Sequence, residues 1–200
     1  MSWKRIKKSL KLKKPDDYEV KKERLRALEV LSSQNEIDLY YADGSGFGLI
    51  PNVPYAWQSK NERLEVPSFR GKTLNIFGLW NAKNDLRLYE QEKCFYSQNI
   101  IDCIDNFCDT IDKKTTIVLD NASVHKSKIF KEKVEEWLKK GLDIFYLPTY
   151  SPQLNKIEHL WRFIKYEWIE FNAYKNFENL KKYVQKIKQN FGKLYTINFA

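Results

Sequence analysis

No apolar run in the chain approaches the roughly 18 residues needed to span a bilayer, and the N-terminus lacks the apolar stretch of a secretory signal. These two absences predict a cytoplasmic protein with no membrane partner. Cysteine is scarce: Cys94, Cys103 and Cys108 are odd in number and show no Cys-x-x-Cys spacing. That excludes a disulfide framework or a cysteine zinc site and predicts three reduced core residues. There is no internal repeat and no low-complexity tract, and no long block of one charge sign, so neither a solenoid nor wholesale disorder is expected. Two signatures are incomplete. Gly71-Lys72-Thr73 resembles the end of a phosphate-binding P-loop, but Val66 stands where its first glycine is required. Asp120, Ser123 and His125 contain hydrolase-triad residue types, but no Gly-x-Ser-x-Gly elbow accompanies them.

What is present is enough for one ordinary domain: 200 residues, 42% hydrophobic and 15% aromatic. The net charge is +9, and residues 1–14 hold seven Lys or Arg with no acid, so the body is nearly balanced. Such a basic arm favours a polyanion, nucleic acid before an anionic membrane surface, or it is simply a solvated tail. Within it Trp3, Ile6 and Leu10 fit one helical face, and Pro15-Asp16-Asp17 ends the pattern. A charged helical connector is predicted from Tyr18 to Leu31. Strands are predicted at Ile37–Ala42, Phe47–Ile50, Thr73–Trp80 and Leu86–Tyr89, the last pair joined by an Asn81–Asp85 hairpin turn. From Ser97 the spacing of Ile100, Ile101, Ile104 and Phe107 is helical. A strand at Thr115–Leu119, a helix from Ile129 to Lys140 stopped by Gly141, and a strand at Leu142–Leu147 follow. Two further helices are expected over Lys156–Glu170 and Phe177–Phe191. Early antiparallel strands, then strands alternating with helices, predict an α/β fold with a mixed sheet covered by helices.

Two segments built around carboxylates carry the chemistry. Ile117-Val118-Leu119-Asp120-Asn121-Ala122-Ser123-Val124-His125 places an Asp at the end of a buried strand, where sites of open α/β sheets gather. Leu147-Pro148-Thr149-Tyr150-Ser151-Pro152-Gln153-Leu154-Asn155-Lys156-Ile157-Glu158-His159-Leu160-Trp161 places a Glu in the first turn of a helix. A third carboxylate, Asp43, follows the strand residues Ile37–Ala42 next to Gly44, Gly46 and Gly48. Carboxylates fixed on rigid elements suit divalent-metal phosphoryl transfer, because magnesium takes hard oxygen ligands. Two such ions can clamp the attacking and leaving oxygens of an in-line displacement.

Each residue also has a plainer role open to it. Asp120 could cap a turn, and Asp43 could sit in a hairpin turn. Asn155 and Glu158 have capping-box spacing, with Asn155 at N-cap and Glu158 at N3. Arg162 and Lys165 share the face of Glu158, either as an exposed ion pair or facing DNA phosphates. His125 and His159 are the only histidines. His125 could orient a ligand, touch a phosphate or move a proton, or be structural. Tyr150, Pro152 and Trp161 could offer a surface to nucleic acid, or pack the core and turn.

With these motifs in the order Asp43, Asp120, Glu158, the chain resembles the DDE catalytic domain of bacterial insertion-sequence transposases in the Tc/mariner superfamily. The resemblance runs from about Trp3 to the C-terminus and is strongest over residues 115–168. It implies an RNase H-like domain over residues 35–200. Residues 1–34 would be a basic arm and helical connector, the tail of a missing helix-turn-helix region. It implies that Asp43, Asp120 and Glu158 bind two Mg²⁺ ions, with Mn²⁺ as a substitute, to hydrolyse DNA at element ends and join them to target DNA. Asn121, His125, Asn155 and His159 would surround those ligands. Lys4, Arg5, Lys7, Lys8, Lys11, Arg162 and Lys165 would contact double-stranded DNA. A homodimer assembled on DNA and a nucleoid-associated location are the further expectations. The chain departs from the family at Gly44, where relatives commonly have Glu, and at Lys156, where they usually have Pro. It also leaves 37 residues between Asp120 and Glu158, more than is usual. A catalytically inactive remnant that binds only DNA or a full-length partner is the first alternative, and a junction-resolving nuclease the second.

Overall fold

The computed structural model describes residues 15–52, 59–61, 65 and 71–197. The arm residues Lys4, Arg5, Lys7, Lys8 and Lys11, and the apolar face Trp3, Ile6 and Leu10, lie outside the described residues. A five-stranded sheet forms the centre, with strands β1 (Asp38–Phe47), β2 (Leu74–Asn81), β3 (Leu86–Gln91), β4 (Thr115–Leu119) and β5 (Leu142–Tyr146) in the order β3-β2-β1-β4-β5. The β3-β2-β1 half is antiparallel and the β1-β4-β5 half parallel. The Asn81–Asp85 hairpin forms as expected, its turn held by the Asn81 side chain accepting the Lys83 and Asp85 N–H groups at 2.9 Å.

One expected boundary is wrong. Asp43 is not beside a turn, and Phe47–Ile50 is not a separate strand. β1 runs unbroken through the glycines, paired from Tyr40↔Asn81 to Phe47↔Leu74. Exposed Gly44 and Gly46 alternate with the inward Asp43, Ser45 and Phe47. Pairing against the apolar β2 overrides the local signal of glycine for a turn.

Side chains alternate across the sheet and create two cores. Tyr40, Ala42, Ile117 and Leu119 face α2 (Ser97–Cys108) and α3 (Lys128–Lys139), which contribute Ile100, Ile101, Ile104, Phe107, Phe130 and Trp137. The Trp137 indole donates to Asp105 at 2.7 Å and ties these two helices together. Leu39, Tyr41, Phe47 and Val118 face the opposite layer. It consists of α1 (Tyr18–Ser33), α4 (Ile157–Phe163) and α5 (Phe177–Asn190), with Leu25, Ile157, Leu160, Trp161, Leu180, Val184 and Ile187 inward. Burial of each large apolar side chain is worth about 1.5–3 kcal/mol, so the helical layers are bound to the sheet by many such terms.

The single helix expected over Lys156–Glu170 is instead α4 followed by a π-helical turn, Ile164–Trp168. Cys103 and Cys108 are buried on α2 as expected, but Cys94 is exposed; all three are free thiols. Among the described residues no helix is long and apolar enough to cross a membrane.

Gly78 of β2 is demanded by packing. A Cβ there would lie 2.7 Å from Cη2 and 2.9 Å from Cζ2 of Trp161. Gly78→Ala should therefore lower stability by about 1–3 kcal/mol, the usual range for overpacking, measured by urea unfolding. An unchanged midpoint would show that Trp161 moves aside freely.

Candidate active site

The sheet brings the two aspartates to one end and one face. Asp43 has the same strand parity as Leu39 and Tyr41, and Asp120 the same parity as Val118, so both belong to the α4 side of the sheet. The last parallel pair is Tyr41↔Val118. Two residues further along are Asp43, still within β1, and Asp120, the first residue after β4, so the two carboxylates leave the same end of neighbouring strands.

Glu158 arrives from the helix layer, in the first turn of α4. The capping box does not form. Lys156 holds the N-cap position, and no side chain caps the helix. Asn155 is buried and donates from Nδ2 to the carbonyl of Ala42 at 3.1 Å. Partnership with β1 replaces partnership with the helix, and it fixes the start of α4 next to Asp43. Asn121 plays a parallel part beside Asp120: its Nδ2 donates to the Leu147 carbonyl. The segment from Leu147 to Asn155 is thus pinned at both ends to neighbours of the two aspartates.

Asp43 and Glu158 line one open cleft of about 610 Å³ together with Gly44, Ser45, Gly46, Trp161, Arg162, Lys165 and Tyr166. Asp120 is not among the residues lining it. Its Oδ1 accepts the Ala122 N–H at 3.0 Å and lies 3.0 Å from Nδ1 of His125. His125 is buried, and its carbonyl accepts the Tyr146 hydroxyl at 3.0 Å. His159 is exposed and lines a smaller cleft with Pro152, Gln153, Glu158 and Arg162. Among the described residues, no three acidic, histidine or cysteine side chains stand together as a ready-made ion cage.

The electrostatics nevertheless join the three carboxylates. Burial first, then the negative charges of Glu158 and Asp120, push the Asp43 carboxyl up to about 7, against the opposing pull of the Gly44 N–H. Asp120 is held below the usual carboxylate range, mainly by its hydrogen bond to His125. Lys165 is pulled down by burial while Glu158 and Asp43 counteract that, and its ammonium lies 5.1 Å from the centre of the Phe47 ring.

Three contributors have roles that the sequence did not reveal, although core packing was one of the two readings open for Trp161. Trp161 is buried in the core, 6.0 Å from Phe47 ring to ring. Its Nε1–H makes no hydrogen bond of full geometry, yet it lies beside Asp43 and lowers that carboxyl. Gly78, the register partner of Asp43, makes room for the indole. Lys156 pairs with Glu29 at 2.9 Å, and Glu29 also accepts the Tyr41 hydroxyl at 2.5 Å, so α1 is fastened to the start of α4. Only the spacing of Trp161, one turn after Glu158, carried any signal of this arrangement. Gly44 has no such packing demand, since a Cβ there meets nothing within 4 Å.

The chain as a whole is similar to known proteins. The model of a family described as DDE superfamily endonuclease matches residues 38–181. A Shigella sonnei protein, the insertion element IS630 uncharacterized 39 kDa protein, is 24% identical over 180 residues, covering 80% of this chain and 46% of its own length. The Mos1 transposase paired-end complex with left transposon end has the same fold at a TM-score of 0.65 and 12% identity, over 94% of this chain and 59% of that one. The Mos1 mariner paired-end complex with Mn aligns at 0.62 and 12% identity, over 94% and 60%. This chain therefore spans about half the length of the insertion-element protein and about three fifths of the Mos1 chains. The shared architecture is the RNase H-like sheet with helices on both faces.

The Asp43 shift has a measurable consequence. The folded chain holds this proton more tightly than the unfolded chain, whose value is the ordinary 3.8. Between about pH 4 and pH 7 the unfolded carboxyl ionises while the folded one keeps its proton, so the penalty on folding grows across that window and is constant above it. Asp43→Asn should melt higher than the wild type at about pH 8, and the advantage should shrink steadily toward about pH 4. A pH-independent difference in melting temperature would contradict the shift.

Proposed function

Because the chain belongs to the DDE superfamily endonucleases, we propose that it is the catalytic domain of a DNA transposase. It hydrolyses a phosphodiester at the end of a mobile element, then joins the freed 3′-hydroxyl to target DNA. The observation that carries this reading is the convergence of Asp43, Asp120 and Glu158 at one end of the sheet, on β1, just after β4 and in the first turn of α4, close enough for the charges of Glu158 and Asp120 to raise the Asp43 carboxyl. Three carboxylates gathered at one end of the sheet, with Lys165 half-buried beside two of them, form a site of hard oxygen donors suited to a divalent cation. Their oxygens are the hard donors that Mg²⁺ and Mn²⁺ prefer. The insertion-element relative and the Mos1 complexes with transposon ends and with Mn support the same assignment.

In this proposal Asp43, Asp120 and Glu158 hold two divalent ions, Mg²⁺ with Mn²⁺ as a substitute. When bound, the ions supply charge neutralisation and activation of the attacking oxygen. The chain's own residues do the positioning. β1 and β4 fix the two aspartates, and Asn155 and Trp161 fix α4 and Glu158 against β1. His125 orients Asp120 through Nδ1. Arg162 and Lys165, on the Glu158 side of the cleft, receive the DNA phosphates. In the first step water attacks phosphorus and the 3′-oxygen leaves. In the second that 3′-oxygen attacks a target phosphodiester, and the target's own 3′-oxygen leaves. Two copies assemble on paired element ends, and the basic residues Lys4, Arg5, Lys7, Lys8 and Lys11 add contacts that do not depend on sequence. The site of action is the bacterial nucleoid.

The decisive test is nicking of supercoiled plasmid in Mn²⁺. Asp120→Asn and Glu158→Gln should each lower the rate by about a hundredfold or more while leaving the melting profile intact. Full activity in either variant refutes the assignment. Separately, Arg162→Ala or Lys165→Ala should weaken DNA binding and reduce the slope of log affinity against log salt by about 0.9 for each lost phosphate contact. An unchanged slope removes that residue from the DNA path.

A further inference from the structure

Tyr150 is the most exposed large side chain with apolar character among the described residues, at 78%. It is also held in the left-handed backbone region, with φ of 54°. The other two non-glycine residues there, Asn35 and Asn84, are of the type that tolerates it. A bulky aromatic in that conformation is unfavourable, and strain of this kind gathers at functional sites when the surroundings enforce it.

The surroundings do enforce it. Leu147 is hydrogen-bonded to Leu119 at 2.9 Å and receives the Asn121 side chain. Ser151, buried, donates to the Thr149 carbonyl at 3.3 Å. Pro152 opens a short 3₁₀ turn that ends at Asn155, whose side chain is fixed to Ala42. The loop is therefore pinned beside Asp120 at one end and beside Asp43 at the other, and Tyr150, between the two anchors in the chain, presents its ring to solvent.

Lysines and arginines at this site account for phosphate contacts, but an exposed, rigidly presented ring adds nothing to them. It does supply a flat apolar face of the kind on which an unstacked base settles. A phosphodiester inside a regular duplex is surrounded by stacked pairs, and enzymes acting there commonly unstack a neighbouring nucleotide. We propose that Tyr150 is a stacking platform for a DNA base displaced from the duplex next to the phosphate held at the carboxylate site. This rests on the transposase reading above.

The test uses the full chain in Ca²⁺ and two aminopurine-labelled DNA probes, one fully paired and one with the label in an unpaired bulge. Tyr150→Asn removes the ring and accepts the backbone conformation; Tyr150→Phe keeps the ring. The wild type and Tyr150→Phe should quench the bulged label. Tyr150→Asn should lose that quenching and bind the bulged probe about tenfold more weakly, with paired-probe affinity and melting temperature unchanged. Quenching retained in Tyr150→Asn overturns the platform while the transposase reading stands. Failure of the wild type to bind either probe overturns both. A change in sedimentation of Tyr150→Asn with unchanged quenching would assign the ring to a contact between two copies and also overturn the platform.

Discussion

Burial of a carboxylate beside two others is the constraint around which the active end of this molecule is organised. Asp43, Asp120 and Glu158 are drawn to one end of the sheet by three separate elements, and Arg162 and Lys165 share the cleft of Asp43 and Glu158. Lys165 is the nearest compensation, and it is half-buried against Phe47. Side chains left to themselves would separate. What prevents this is backbone: β1 and β4 paired from Asp38↔Thr115 to Tyr41↔Val118, and a helix whose first turn is fastened to β1 through Asn155. The response that remains is chemical, a proton held more tightly on Asp43 and a hydrogen bond from His125 engaging Asp120.

That arrangement explains why the core is placed as it is. The layer containing Leu160, Trp161, Leu180 and Val184 holds α4 firmly against the sheet. The opposite layer, containing Ile104, Phe107, Phe130 and Trp137, has no part in the site except through the loop that begins at Asp120. Apolar burial thus supplies the free energy that keeps the carboxylates in company. The Glu29, Lys156 and Tyr41 cluster extends the same fastening to α1. The entry to α4 is held here by the Lys156–Glu29 ion pair.

Much of this was legible in the sequence where a local pattern and the tertiary outcome coincide. The buried run before Asp120, the apolar spacing of α2, α3 and α5, and the hairpin at Asn81–Asp85 all appear where periodicity and turn residues put them. The failures have one cause. Gly44 and Gly46 read as a turn because glycine permits one, but the partner strand decides, and it is continuous. Asn155 and Glu158 read as a capping box because the spacing fits, but Lys156 takes the N-cap position and the Asn155 Nδ2 turns to a carbonyl on β1, leaving its Oδ1 off the helix N–H groups. The π-helical turn after α4 and the seating of Trp161 against Gly78 depend on contacts remote in sequence, and no window of neighbouring residues contains them.

The seating of Trp161 also bears on how the chain can drift. The indole occupies the space where any side chain at position 78 would begin, directly across from Asp43. Positions 78 and 161 are therefore not free to change independently. A lineage that keeps the tryptophan keeps the glycine, and one that shortens position 161 opens a gap that a larger residue at 78 can fill. Across relatives the two positions should co-vary as a pair, a historical trace of a contact that neither residue advertises alone.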